Sequence, residues 1–172
     1  MMQSAQHIQA ILSDVDGVMT DGGITFDNQG IETKTFFVRD GLGIRLWLGA
    51  GYRFGIMTAR TSQIVRLRAS ELGIDPVLQG VPAKGAAVAD VAHQWGLEPE
   101  QICYIGDDLS DLPVFREVGL SVAVADAVPE LRKAADHVTK APGGRGAVRE
   151  LIEELLQQRG RWDDLIRKYT QG

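Results

Sequence analysis

The sequence predicts an α/β fold in a single domain: a parallel sheet with helices on both faces and a small β-hairpin insertion after the first strand. Three observations carry this. Short apolar runs alternate with segments of helical period along the whole chain, the pattern of βαβ units. Acids and a threonine stand at the ends of several of those runs, and in parallel sheets ligands sit outside the carboxyl ends of the strands. Two alternating stretches, Ile24-Thr25-Phe26 and Thr33-Lys34-Thr35-Phe36, flank Asp27-Asn28-Gln29-Gly30, a hairpin signal much too short to be a second domain.

The totals agree with this. A chain of 172 residues, 44% hydrophobic, is long enough for one real core. A net charge of -5 argues against non-specific nucleic-acid binding. A local cluster of Arg and Lys can still hold an anionic small molecule. Cys103 is the only cysteine, which excludes an intrachain disulfide and argues against a thiolate metal site. It lies in the apolar run Ile102-Cys103-Tyr104-Ile105, as a buried inert thiol would. Met1 to Gln9 carry no apolar signal segment, and no run is long enough to span a membrane, so the expected location is the cytoplasm.

In chain order, Gln9 to Ser13 reads as a buried strand ending at Asp14. The hairpin insertion occupies about residues 22–38. Arg39-Asp40-Gly41 leads into a helix from Ile44 to Ala50, with Asp40 as its cap. Phe54 to Met57 is a second buried strand, ending at Thr58-Ala59-Arg60. The next helix opens at Thr61-Ser62, and Ile64, Leu67 and Leu72 share one of its faces. Val77-Leu78 is a short strand. Lys84 starts a helix through Val88, Val91, Ala92 and Trp95, closed by Gly96. Ile102 to Ile105 is another buried strand, ending at Gly106-Asp107-Asp108. A helix from about Ser110 to Val118 follows, with Pro113 in its first turn, where proline is tolerated. Leu120 to Val124 is a strand, Pro129 to Ala134 a short helix, and His137-Val138-Thr139 an edge strand. A glycine-rich loop, Gly143 to Gly146, precedes the helix Ala147 to Gln158 and a helical tail from Trp162 to Tyr169; helix and tail together span about residues 147–172.

The chemistry is read from the strand ends. Asp14 and Asp16 are i and i+2, so on an extended strand their carboxylates leave together while Val15 turns to the other face. Neighbouring carboxylates raise each other's pKa unless a cation sits between them. Such a pair suits a hard cation with oxygen ligands, and Mg2+ is the usual one in phosphate chemistry. Asp107, Asp108 and Asp111 reach the same sheet edge. One aspartate there would be an ordinary helix cap; three beside a second acidic strand end favour a metal site. Thr58 could hold a phosphate oxygen or cap a helix. Lys84 opens a helix, where the dipole slightly disfavours a cation; an anionic phosphate or nearby aspartates would hold it there, and a solvated surface lysine is the alternative.

In this order, Asp14-Val15-Asp16-Gly17-Val18, Thr58-Ala59-Arg60, Lys84 and Gly106-Asp107-Asp108-Leu109-Ser110-Asp111 resemble the four motifs of the haloacid dehalogenase superfamily. Within it, three stretches resemble the family of 3-deoxy-D-manno-octulosonate 8-phosphate phosphatases: Asp16-Gly17-Val18-Met19-Thr20-Asp21-Gly22, Phe37-Val38-Arg39-Asp40-Gly41-Leu42-Gly43-Ile44-Arg45, and Pro142-Gly143-Gly144-Arg145-Gly146-Ala147-Val148-Arg149-Glu150. One departure is Ala59, where glycine is common.

The resemblance implies a Rossmann-like, haloacid dehalogenase-like domain without a cap domain. It implies Asp14 as the nucleophile and Asp16 as the acid and then the base. Mg2+ would be held by Asp14, the Asp16 backbone carbonyl and Asp107. Asp108 and Asp111 would orient metal-bound water or Lys84, and Lys84 and Thr58 would neutralise phosphoryl oxygens. The substrate, a sugar acid phosphate, would be bound by Asp16, Lys84, the segment Phe37, Val38, Arg39, Asp40 and Gly41, and the guanidinium groups of Arg39, Arg45, Arg60 and Arg68, which suit a carboxylate. It also implies a homotetramer in which the hairpin covers a neighbour's site. A nine-carbon sialic-type substrate is the alternative within this reading. A phospho-accepting receiver domain is the alternative outside it; its acceptor ends the third strand, whereas here the acids open the chain.

Overall fold

Strand β1, Ala10–Ser13, is a central strand of the sheet, and all four of its residues are buried. In this computed structural model, which describes residues 5–170, β1 pairs in parallel with β4, Arg53–Met57, on one side and with β6, Ile102–Gly106, on the other. Strands β5, Val77–Leu78, β7, Leu120–Ala123, and β8, His137–Val138, complete a six-stranded parallel sheet in the order β5-β4-β1-β6-β7-β8. The chain leaves β1 for one side and later returns to the other, so the reversal of strand order falls at β1. That is where a doubly wound sheet opens a crevice. The first residues of the Met1 to Gln9 stretch and the last two of the tail lie outside the described residues.

Alternation along the strands sorts the helices. Ile11, Phe54, Ile56, Cys103 and Ile105 point into one core cluster with Ile44, Trp47, Val65 and Leu151. Leu12, Met57, Ile102 and Tyr104 point into the other, with Val88, Val91, Trp95 and Val114. Helices α1, Val38–Gly49, α2, Gln63–Leu72, and α6, Ala147–Gln158, therefore cover one face, and α3, Lys84–Trp95, and α4, Leu112–Phe115, cover the other. Each fully buried large aliphatic contributes about 1.5–3 kcal/mol, so the strand ends rest on a well-held platform. The remaining elements are the hairpin strands β2, Thr25–Phe26, and β3, Glu32–Thr33, and helices α5, Pro129–Ala134, and α7, Trp162–Thr170. Among the described residues no helix is long and apolar enough to cross a membrane.

Four expectations need correction. Helix α1 begins at Val38, six residues earlier than the sequence suggests, so Asp40 lies inside its first turn and does not cap it. Asp40 Oδ1 instead accepts the Arg149 N–H at 2.8 Å, in the first turn of α6, a helix whose own N-cap is Gly146. The buried face of α2 is Val65, Ala69 and Leu72; Leu67 is exposed. The expected helix from Ser110 to Val118 is a 3-10 turn, Leu109–Asp111, followed by the four residues of α4. The hairpin pairs over two residues per strand, because the ladder stops at Thr33 and Lys34 turns inward as a loop residue.

Candidate active site

β1 ends at Ser13, and the backbone turns at once: the Val15 carbonyl accepts the N–H groups of Val18, Met19 and Thr20. Val15 is buried in the core, as alternation requires. The turn separates the two carboxylates that an extended strand would have kept together. Asp14 continues the Ala10–Leu12 side and faces α3. Asp16 faces the hairpin.

Around Asp14 the geometry is tight. Its Oδ2 lies 2.8 Å from Lys84 Nζ, and its Oδ1 accepts the Val15 N–H at 2.7 Å. Lys84, at the first position of α3, also lies 2.7 Å from Asp111 Oδ1. Both side chains are almost wholly buried. The two carboxylates answer why a lysine stands at a helix N-terminus. Burial works against its charge, but Asp14 and Asp111 outweigh burial and hold the Lys84 pKa above the ordinary lysine value. Asp111 is fully engaged: Oδ1 accepts from Lys84 and from the Tyr104 hydroxyl at 2.7 Å, and Oδ2 accepts the backbone N–H groups of Asp107 and Asp108.

Asp14, Asp107 and Asp111 each bring a carboxylate oxygen within 4.8 Å of the others. Burial first, then mutual repulsion among these acids, pushes Asp14 up to about 6 and Asp107 up to about 7. Lys84 alone thus leaves surplus negative charge here, and a divalent cation would remove it. Asp14 and Asp107 fit such an ion; Asp111, with both oxygens committed, fits the role of their support. Two glycines make the approach possible. A Cβ on Gly17, which sits at φ +88°, would overlap Asp107 Oδ2, and one on Gly106 would overlap the Asp111 carboxyl. Asp108 is turned away: it caps the 3-10 turn through the Leu109 N–H at 2.7 Å. Thr58, at the end of β4, is buried, and its Oγ1 accepts the Arg60 N–H at 3.3 Å, which leaves its hydroxyl hydrogen free.

Around Asp16 the partners come from the hairpin. Lys34 Nζ pairs with Asp16 Oδ1, and Arg60 Nε lies 3.5 Å from Asp16 Oδ2. Glu32 gathers Arg60 Nη2 at 2.8 Å, Ser62 Oγ at 3.1 Å and Lys34 at 3.4 Å. Against the desolvation that burial brings, these donors hold the Glu32 carboxyl below the usual range. The hairpin stem therefore closes on its own chain's site.

The remaining arginines lie apart from the acids. Arg45 Nη2 donates to the Glu71 carbonyl and so ties α1 to α2, whereas Arg68 Nη1 donates to the Glu71 carboxylate within α2, three residues on. Arg39 lies over the Phe37 ring, 5.9 Å from its centroid, in a cleft shared with Leu42, Arg145 and Arg149. Val38 is among the exposed apolar residues, and Gly41 leaves room for the Arg68 guanidinium. Sequence reasoning missed Lys34, Glu32 and Tyr104. A tyrosine in a buried strand needs a partner for its hydroxyl, and that was the available signal for Tyr104. A lysine between two threonines on a hairpin carried none. A second group, His137, Glu150 and Glu154, joins β8 to α6; Glu150 spends its oxygens on the Lys140 and Ala141 N–H groups, and His137 pairs with Glu154.

A parallel sheet with buried acids, a lysine and a threonine at its carboxyl edge defines a phosphoryl-handling α/β hydrolase. Residues 77–151 match the family described as haloacid dehalogenase-like hydrolase. The chain is 46% identical over 164 residues, 95% of its length and 87% of the relative's, to the 3-deoxy-D-manno-octulosonate 8-phosphate phosphatase of Escherichia coli (strain B / BL21-DE3). Its structure superposes with TM-score 0.94 on the Moraxella catarrhalis enzyme of that name, solved in complex with magnesium ion, phosphate ion and KDO; identity is 39%, covering 98% of this chain and 97% of that one. The cobalt-bound Haemophilus influenzae phosphatase gives TM-score 0.90 at 42% identity, covering 93% and 94%. The chain belongs to the haloacid dehalogenase-like hydrolases and, within them, to the family of 3-deoxy-D-manno-octulosonate 8-phosphate phosphatases.

Proposed function

We propose that the chain is a Mg2+-dependent phosphomonoesterase that hydrolyses 3-deoxy-D-manno-octulosonate 8-phosphate to KDO and phosphate. The observation that carries this is Asp14, fixed by Lys84 and the Val15 N–H beside Asp107 at the central strand end, in a chain so similar to enzymes of that name. An Asp14 oxygen attacks phosphorus, the phosphorus–oxygen bond to the sugar breaks, and Asp16 gives its proton to the departing sugar oxygen. Asp16 then takes a proton from the water that hydrolyses the aspartyl phosphate, which returns Asp14 and releases phosphate. Lys84 and the Thr58 hydroxyl neutralise phosphoryl oxygens as charge moves between them. Mg2+, held by Asp14, the Asp16 backbone carbonyl and Asp107, adds positive charge against the phosphoryl group when bound. Asp111 holds Lys84, whereas Asp108 caps the 3-10 turn and takes no direct part at that site.

The sugar acid extends from Asp16 and Lys84 past Arg60 toward Phe37, Val38 and Arg39, while the buried Asp40 and Gly41, and Arg45 and Arg68 on Glu71, lie behind that wall. The hairpin exposes Ile24, Phe26 and Ile31, an apolar tip that suits a neighbouring copy, and the proposal includes a homotetramer and a cytoplasmic location. Light scattering should report four chains, and a fully active monomer would remove the assembly. The substrate is tested by steady-state kinetics on a panel of sugar phosphates. The eight-carbon keto-sugar acid phosphate should give the highest kcat/KM. A preference for a nine-carbon sialic-type 9-phosphate would move the assignment to that substrate, and a preference for neutral sugar phosphates would remove the sugar-acid reading.

A further inference from the structure

Lys34 has no place in the chemistry above, yet its side chain is 1% exposed. A buried ammonium needs acceptors, and Lys34 has two, Asp16 and Glu32. Lys34 engages Asp16 Oδ1. The facing cation on Oδ2 is Arg60, which is 41% exposed and at 3.5 Å lies beyond a hydrogen bond. The two oxygens of Asp16 are thus unequal. The ammonium donates one hydrogen to Oδ1 and faces Glu32 with another, which leaves Oδ2 as the Asp16 oxygen without a close donor. Glu32 then ties the pair to Arg60 and Ser62, on the far side of the site mouth.

We propose that Lys34 is a positioning residue for the acid–base step: it fixes the Asp16 carboxyl so that Oδ2 carries the proton toward the leaving oxygen. This rests on Asp16 being the general acid. The arrangement explains how a carboxylate beyond the end of β1, on a turn, is aimed as firmly as Asp14, whose backbone is in the sheet ladder. Misplacing a reacting group by a fraction of its hydrogen-bond length is enough to cost about a hundredfold in rate.

The test uses the difference between leaving groups. kcat/KM reports events up to departure of the leaving group. A sugar oxygen needs a proton to leave; p-nitrophenolate does not. Lys34→Met should lower kcat/KM for 3-deoxy-D-manno-octulosonate 8-phosphate by roughly tenfold to a hundredfold, and for p-nitrophenyl phosphate by less than about threefold. Lys34→Arg, which keeps the cation, should restore most of the loss. Equal losses on both substrates would make Lys34 a structural staple of the hairpin and overturn the proposal. A gain on either substrate would make it an obstruction and overturn the proposal too, as would an Arg variant as slow as the Met variant. If Lys34→Met does not fold, Lys34→Gln gives the same ratio. Asp16→Asn is the control for the underlying reading and should show the same selectivity with a larger loss. Equal losses in Asp16→Asn would refute Asp16 as the acid; selective loss there with none in Lys34→Met would refute the role of Lys34 alone.

Discussion

Asp14 and Asp16 are two residues apart in sequence and belong to regions built in different ways. Asp14 sits on the sheet: its N–H bonds to Ile105, its carboxylate meets a lysine at a helix N-terminus, and that lysine is braced by Asp111 and Tyr104. Asp16 sits on a turn under a hairpin of two-residue strands, and its partners Lys34 and Arg60, which Glu32 joins to each other, are side chains reaching in from loops. The first region is buried, acidic and held from below by two core clusters. The second faces the mouth, mixes charges and is held from above. The phosphoryl group is common to all substrates of this chemistry and suits a fixed seat. The leaving group differs from one substrate to another, and the part that meets it is carried by the insertion.

The sharpest test of that division is Asp14→Asn. An amide is a poor nucleophile, so turnover should fall by at least about ten-thousandfold, while circular dichroism and the thermal transition stay native-like. Wild-type rates in a folded variant would end the assignment of the first region.

Stability should separate the regions next. Lys84→Met strands two buried carboxylates, and breaking a buried pair costs about 3–5 kcal/mol. The corresponding loss at the rim, Arg60→Ala, removes a partly exposed ion pair and should cost about 1 kcal/mol or less. Arg60→Ala should act on substrate instead. For a keto-sugar acid phosphate, kcat/KM should fall roughly tenfold to a thousandfold, about 1.5–3 kcal/mol or somewhat more, and much less for p-nitrophenyl phosphate. Chemical denaturation and paired kinetics read both. A large loss of stability in Arg60→Ala would show that the mouth is built like the base.

Proton linkage gives a smaller effect. In the metal-free chain Asp14 and Asp107 titrate near 6 and 7, above their unfolded values. Their ionised forms therefore cost stability, and that cost disappears as pH falls from about 7 toward 4. Metal-free Asp107→Asn should be more stable than the wild type at pH 7.5 and indistinguishable at pH 4. Mg2+ should raise the melting temperature of the wild type but not of this variant, and its apparent affinity should weaken as pH drops below about 7. Asp16→Asn should keep that affinity if only the backbone carbonyl of Asp16 binds the ion. A loss as large as that of Asp107→Asn would contradict the division of roles.

Most of the base was legible in the sequence. Short continuous apolar runs placed the strands, the helical stretches between and after them placed α3, α5 and α6, and the acids at run ends marked the sheet edge. The mouth was not. Lys34 and Glu32 act through tertiary contacts across the hairpin, and nothing in Glu32-Thr33-Lys34 distinguishes them from a solvated turn. The start of α1 was missed because Gly41 and Gly43 lower helix propensity. Those glycines are present for packing: a side chain at Gly41 would overlap Arg68, and one at Gly43 would press on Arg149. Leu67 fits a helical period but not the buried stripe, since the five apolar positions of α2, Ile64, Val65, Leu67, Ala69 and Leu72, permit two faces and only the sheet decides between them.

Asp40 joins the two regions, because α1 leaves the hairpin and its carboxylate reaches the first turn of α6. Burial, against the pull of the Arg149 and Gly146 N–H groups and the Arg149 charge, pushes Asp40 up to about 6. Its Oδ1 is bonded, whereas Oδ2 is buried without a partner. The folded pKa is above the unfolded one, so ionised Asp40 costs stability above pH 6, and the cost fades to nothing near pH 4. Asp40→Asn keeps an oxygen for the Arg149 N–H and removes the charge. It should stabilise the chain by about 1 kcal/mol at pH 7.5, with no difference at pH 4, read from denaturation midpoints at the two values. If Asp40 served only the first turn of α6, kinetics on p-nitrophenyl phosphate and on the sugar acid phosphate would both stay unchanged. A selective loss on the sugar acid would instead show that the buried charge is kept for the substrate, at the junction where the hairpin hands the chain back to the sheet.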